Sequence, residues 1–178
     1  KDLTSKNYYI HLNTYGGEGN AGTQVWEATD TTFSIHSGVV GNGVGENYVV
    51  YLFASGTDSA SQIFGDAGDE AIIKCGGWSG STTINLGWEP QWVIAKRYDG
   101  TGNWHLFDTM RGFAEIGTTN NGASQEVNSA QADAASQYGL GPTSTGLVSD
   151  GGSFGNNDDY FYMAIRRGPM KTPEDATK

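Results

Sequence analysis

The sequence predicts an all-β protein, an antiparallel β-sandwich of jelly-roll, lectin-like or SPRY-like shape with little or no helix. Three observations carry this. The chain has 27 glycines but only 4 prolines, and its aromatics reach 12%. With abundant Thr, Ser, Asn, Val, Tyr and Trp, that mixture suits strands joined by tight turns. There is no G-x-y period, which excludes collagen, and the aromatics are too many for a disordered chain. Leucine and alanine fall at helical spacing over no long window. Finally, the block IIKCGGWSGSTTINLGWEPQWVIAKR, residues 72–97, holds three of the five tryptophans. It reads as two short strands, a Gly-Trp-Glu-Pro corner and a third strand, and places no acid, base or nucleophile as catalysis would need.

Element by element, residues 8–13 read as a strand and 16–22 as a glycine-rich loop. Residues 31–35 form a strand with Phe33 and Ile35 on one face, followed by a loop built on Gly41-Asn42-Gly43. Residues 48–54, wholly apolar, read as a strand central in a sheet. Residues 55–70 are polar and glycine-containing, a linker or long loop. A second set of strands follows at 71–75, 82–86, 91–97 and 104–108, with Asp99-Gly100 as the hairpin signal between the last two. Residues 117–137 read as a long loop or weak edge, 144–148 and 160–167 as the final strands, and 170–178 as an extended tail.

The two halves echo each other. TTFSI (31–35), a Gly/Asn loop and YVVYLF (48–53) parallel STGLV (144–148), a Gly/Asn loop and YFYMAI (160–165). The echo divides the chain into the C-terminal part of a first repeat at 1–54, a linker at 55–70, a complete second repeat at 71–168 and a tail at 169–178. Chance similarity between two β-rich stretches is the competing explanation. The chain begins Lys-Asp-Leu without Met, which reads as a fragment or processed product.

Charge narrows the function. The net charge is −10; eight acids but no Lys or Arg lie between Lys6 and Lys74, and six acids but no Lys or Arg between Arg111 and Arg166. Such a surface repels phosphate, which argues against nucleic acid and against anionic membranes. The longest apolar run is too short to span a bilayer as a helix. The single cysteine, Cys75, has no internal disulfide partner and reads as a buried core thiol.

Catalytic and metal signals are sparse. Glu89, Asp108 and Glu115 are conceivable as a glycosidase pair, but acids in turns are more often structural: Glu89 would accept backbone N–H bonds and Asp108 would pair with Arg111. His11, His36 and His105 show no zinc spacing. There is no G-x-S-x-G, and Gly41-Asn42-Gly43-Val44-Gly45 lacks the Lys of a phosphate loop. Calcium is the better metal candidate, through Asp66, Asp69 and Glu70 in one loop and Asp158 and Asp159 in another, against simple Asx-turn chemistry; otherwise no cofactor is expected. For ligand binding the aromatics lead, because their faces suit the C–H faces of sugar rings. Trp92 and Trp104 are expected in the core. Trp78 and Trp88, beside glycines in turns, are the expected surface aromatics, joined by Tyr98.

The strings KCGGW (74–78), INLGWEPQWVIAKR (84–97) and NWHLFDTMRG (103–112) resemble a module repeated in tail-fibre and other structural proteins of tailed phages. YVVYLFA (48–54) and YFYMAIRR (160–167) resemble its closing strand, and YIHLNT (9–14) its middle strand. The departure is at 117–137, where the middle strand of the second unit is poorly matched. The resemblance implies a non-enzymatic β-sandwich in an extracellular virion particle, acting in assembly and contacting host-surface polysaccharide. The expected partners are other virion chains, with a homotrimer as the usual fibre arrangement. The alternative is a stand-alone carbohydrate-binding module without a virion role; a glycan-cleaving depolymerase is third.

Overall fold

The computed structural model describes residues 3–29, 31–36, 43, 45–53, 55, 71–113, 124–131, 139–150, 154 and 157–168. The strands are β1 (Tyr8–Tyr9), β2 (Gly19–Asn20), β3 (Trp26–Ala28), β4 (Phe33–Ile35), β5 (Ile73–Ser79), β6 (Thr82–Asn85), β7 (Pro90–Arg97), β8 (Trp104–Asp108), β9 (Ser124–Glu126), β10 (Leu140–Thr143), β11 (Gly146–Ser149) and β12 (Asp159–Arg166). All pairings are antiparallel. Apart from short 3₁₀ turns there is no helix among the described residues.

Two sheets make the sandwich. One has five strands in the order β5-β12-β7-β8-β9, the other three in the order β10-β11-β6. The block 72–97 is split between them, because Gly80-Ser81 carries the chain from β5 in the large sheet to β6 in the small one. Strand alternation sends every second residue inward. Tyr160 lies between Trp78 and Arg97, Tyr162 between Gly76 and Ala95, and Ala164 between Lys74 and Val93. Phe107 continues the Val93 row on β8. From the small sheet come Ile84, Leu140 and Leu147, with Leu86 and Trp88 from the corner after β6.

Aromatic rings fill the centre. Trp78 stacks on Tyr160 with centroids 4.9 Å apart and planes 14° apart. Phe154 touches Trp78, His105, Phe107 and Tyr160 at 4.8–5.9 Å. Gly76 is required within β5, because a Cβ there would sit 2.8 Å from the Tyr162 hydroxyl. The Tyr162 ring therefore lies across the strand, and Gly76-Gly77 is strand rather than turn.

The opposite face of the large sheet is covered by the N-terminal segment. The Trp104 indole N–H donates to the His11 carbonyl at 2.9 Å. Glu18 N–H donates to the Tyr98 carbonyl and Gly102 N–H to the Tyr15 carbonyl, at 2.8 and 2.9 Å. Lys96, on this face, is 0% exposed, and its ammonium donates to the Gly102 and Tyr15 carbonyls at 2.6 and 3.4 Å. Burial, then the neighbouring Arg97 charge, lowers its pKa to about 8. Both faces of the sheet are thus partly dry, which explains why the parity of 91–97 alone does not reveal an inner and an outer side.

The expectation of an all-β antiparallel sandwich holds. Strands 91–97 and 104–108 fall where expected and pair antiparallel, and the weak edge at 117–137 contains β9; the connection between the two strands is not a tight Asp99-Gly100 turn but the longer loop from Tyr98 to Asn103, with Lys96 and Trp104 as the last pair. Several readings need correction. Cys75, expected as a buried core thiol, is half-buried opposite Met163, on the face of β5 away from the core. Trp78 and Trp88 are core residues, 7% and 6% exposed; the alternation of β5 turns Trp78 inward onto Tyr160, and Trp88 joins the core from the corner after β6. Trp92, expected in the core, is half-buried on the other face. Residues 48–53 form no strand and are exposed throughout, because β12 occupies the central position that their composition suggested. Trp78→Ala and Trp88→Ala should each cost about 3–5 kcal/mol of unfolding free energy, the usual range for emptying a core tryptophan site. Denaturant midpoints check this; losses below about 1 kcal/mol would return those rings to the surface.

Candidate functional site: a polar cleft at the end of the sandwich

The inner faces of β7, β8, β9 and β12 run out at one end of the large sheet, and a cleft of about 340 Å³ opens there. Arg97 and Tyr160 face each other across β7 and β12, and His105 and Glu126 across β8 and β9. Phe154 and Asp158 arrive just before β12, Thr101 to Asn103 from the β7–β8 turn, and Tyr15 from the N-terminal segment.

The charges are organised around Arg97. Its Nη1 donates to Asp158 Oδ2 at 2.8 Å and its Nε to Asp99 Oδ1 at 2.8 Å. Burial opposes the charge, but the Asp99 hydrogen bond and the two carboxylates outweigh it, so the Arg97 pKa is raised. Gly100 leaves room for this fork, since a Cβ there would stand 2.7 Å from the guanidinium nitrogens. Asn128 fixes the rim, accepting from Trp104 N–H at 2.7 Å and donating to Asn103 Oδ1 at 3.0 Å.

His105 and Tyr160 are both held neutral. Burial drives the His105 pKa down to about 4, with Glu126 resisting and Lys96 assisting. Its Nδ1 lies 3.5 Å from the buried Ser124 hydroxyl. Burial, then Asp158, raises the Tyr160 phenol to about 12. Near neutral pH the cleft therefore offers a neutral imidazole, a phenol, a guanidinium already neutralised by two carboxylates, the Glu126 carboxylate and aromatic surface. That set can hydrogen-bond hydroxyls and stack on rings.

A second, more open groove of about 430 Å³ is lined by Gln91, Trp92, Asp108, Thr109, Met110 and Arg111. Asp108 caps the 3₁₀ turn there: its Oδ1 accepts from Arg111 N–H at 2.9 Å and its Oδ2 from Arg111 Nε at 2.7 Å. The Asp108–Arg111 pairing read from the sequence is present. Glu89 instead pairs with Arg167 Nη1, and its carbonyl accepts from Arg167 N–H. Glu115 lies outside the described residues.

The residues singled out for ligand binding do not converge. Trp78 and Trp88 are buried, and Trp78 lies behind the cleft, stacked on Tyr160. Tyr98 is half-buried on the other face of the sheet, over Phe161 at 6.5 Å. Of the calcium candidates, Asp66, Asp69 and Glu70 lie outside the described residues. Asp158 is bonded to Arg97, and Asp159 opens β12, its carbonyl accepting from Tyr98 N–H at 3.0 Å. Among the described residues no three His, Cys, Asp or Glu side chains cluster as a metal site. Tyr15, Arg97, His105, Glu126 and Tyr160 were not signalled as a set, because five segments supply the cleft lining; the one local hint is Arg97 two residues before Asp99.

Fold and cleft together define an all-β sandwich module with a small polar-aromatic site at one end. Residues 1–169 match the family model described as Domain of unknown function (DUF7483), and the chain belongs to that family. No curated protein and no solved structure matches it.

The buried imidazole makes a pH signature. The folded-state pKa of His105 is below the unfolded value of 6.5, so the unfolded chain takes up this proton first. The contribution is complete above pH 6.5 and is lost as pH falls toward 4. The loss should reach about 3 kcal/mol at the acid end, at ~1.4 kcal/mol per tenfold in proton affinity. His105→Phe should flatten unfolding free energy against pH between 6.5 and 4; an unchanged acid limb would show that this imidazole is not held neutral.

Proposed function

We propose that this domain is a non-enzymatic binding module that contacts surface polysaccharide through the cleft of Tyr15, Arg97, His105, Glu126, Asp158 and Tyr160. The observation that carries the proposal is the geometry of the lining: Arg97 is bonded at 2.8 Å to both Asp99 and Asp158, and His105, Glu126, Tyr160 and the exposed Tyr15 ring surround an open cleft of about 340 Å³. Each lining group with a shifted pKa moves away from neutrality: His105 down to about 4, Tyr160 up to about 12, Arg97 upward. A general acid or base is tuned the other way, toward the working pH.

The ligand class follows from the chemistry. Arg97 is neutralised by Asp99 and Asp158, so the cleft has little pull on a phosphate or sulfate. Carboxylates and an imidazole nitrogen accept from hydroxyls, the phenol both donates and accepts, and Tyr15, 55% exposed, is a platform for a sugar ring. The volume is at the lower end of the ~300–1,000 Å³ of ligand clefts, enough for a short terminal saccharide. The likeness of residues 74–78, 84–97 and 103–112 to tail-fibre modules supports a virion appendage as the setting, with other virion chains as neighbours.

A glycan array followed by calorimetry tests this. Saturable binding of a neutral or weakly acidic oligosaccharide is expected. Tyr15→Ala should weaken it about tenfold, the effect of ~1.4 kcal/mol, while Trp92→Ala in the second groove leaves it unchanged. Binding lost with Trp92 but kept without Tyr15 would move the site. Release of reducing ends from the polysaccharide would make the protein an enzyme.

A further inference from the structure

The N-terminal segment forms one wall of the cleft, and it docks over a buried charge. Lys96 stands on the outer face of β7, between Phe161 of β12 and Trp104 of β8, and is wholly enclosed. Its ammonium reaches two carbonyl oxygens, Gly102 at 2.6 Å and Tyr15 at 3.4 Å, and among the described residues it meets no carboxylate. An ammonium has three N–H donors to place. Two neutral acceptors and no counter-ion compensate it poorly for the water it has lost.

The two acceptors belong to different pieces of the molecule. Gly102 lies in the β7–β8 loop of the sandwich, whereas Tyr15 belongs to the N-terminal segment, and both line the cleft. The segment fits the loop closely. Gly102 N–H donates to the Tyr15 carbonyl at 2.9 Å and Glu18 N–H to the Tyr98 carbonyl at 2.8 Å. A Cβ on Gly17 would stand 2.7 Å from the Gly100 carbonyl oxygen. Lifting the segment away therefore takes one acceptor from Lys96 and lets water reach the ammonium. The docked arrangement favours the neutral amine, and the undocked one favours the cation.

We propose that docking of the N-terminal segment is coupled to loss of the Lys96 proton, so that the Tyr15 wall of the cleft closes as pH rises. As a control of ligand binding this rests on the cleft being the site; the docking equilibrium itself does not. The docked pKa is about 8 against the ordinary 10.5. Docking is therefore strongest above pH 10.5, weakens as pH falls toward 8 and changes little below that. The other titratable groups on the elements at these contacts are Arg97 and Asp99 next along the chain, His105 on β8, Asp159 and Tyr160 on β12, and His11, Tyr15 and Glu18 on the segment. Arg97 stays a cation, and His105 and Tyr160 titrate near 4 and 12, outside this window.

Amide hydrogen exchange from about pH 7.5 to about 9.5, corrected for the hydroxide-catalysed intrinsic rate, is the test. The Gly102 and Glu18 amides report the docked segment, and those of β12 report global unfolding. In the wild type, Gly102 and Glu18 should be less protected than β12, and their protection should rise about tenfold across the window, as a one-proton linkage allows. In Lys96→Met, an uncharged side chain of similar length, that rise should vanish. Protection of Gly102 and Glu18 that is flat or falls with pH overturns the proposal. So does a rise that persists in Lys96→Met, or opening of these amides only together with β12. Should Lys96→Met fail to fold, the wild-type series alone decides. A glycan array on which nothing binds counts against the cleft as a site and leaves the docking result standing.

Discussion

The strand Asp159–Arg166 is the element on which the rest depends. It is paired over seven residues with β5 on one edge and over a matching stretch with β7 on the other. One of its faces gives Tyr160, Tyr162 and Ala164 to the sandwich core; the other gives Phe161 to the layer beneath the N-terminal segment, edge-on to Trp104. A strand satisfied on two edges and two faces has little freedom, since one residue of slip would exchange its faces and put Phe161 where Tyr160 packs. Its neighbours inherit that register: Trp78 is set by Tyr160, Gly76 by Tyr162, and Phe107 by Val93.

The cleft is a consequence of this strand. Asp158 precedes it and holds Arg97, the residue facing Tyr160, so the charge pair is fixed by the same register that fixes the core. Phe154 sits on the same approach and closes the floor against His105. The imidazole is kept neutral because the packing that holds Phe154 and Phe107 excludes water from it. The site is therefore assembled from backbone and core packing, and its side chains arrive with their hydrogen-bonding roles already assigned.

Much of the large sheet was legible in the sequence. Residues 91–97 and 104–108 carry β-branched and aromatic side chains on alternating faces and are separated by a short glycine-containing loop, so local chemistry and tertiary structure agree. Legibility failed where the deciding contact is distant. Nothing near Gly76-Gly77 reveals that a tyrosine 86 positions later lies across it, and without that fact two glycines read as a turn that exposes Trp78. Residues 48–53 have the composition of a central strand, but a segment elsewhere holds the position, a competition that composition does not record. The cleft was the least legible part. Tyr15, Arg97, Glu126 and Asp158 are ordinary surface residues singly and become a site only through pairing of β7, β8, β9 and β12. Lys96 is another case: a lysine in an alternating strand reads as solvated, yet here backbone carbonyls from two loops enclose its ammonium.

The sandwich is the stable body, and the N-terminal segment is a layer docked on its outer face through main-chain bonds at Tyr98 and Gly102 and the side chains of Trp104 and Lys96. Native-state amide hydrogen exchange tests that hierarchy most directly, because it resolves opening free energies along the chain. The amides of β12, with those of Val93 and Ala95 in β7, should exchange slowest and only through global unfolding. Those of Ala21 and Val25, bonded within the N-terminal segment to the carbonyls of Asn7 and Lys6, should open first and at lower cost. Equal protection of both sets, or earlier exchange of β12, would contradict the claim that this strand organises the molecule.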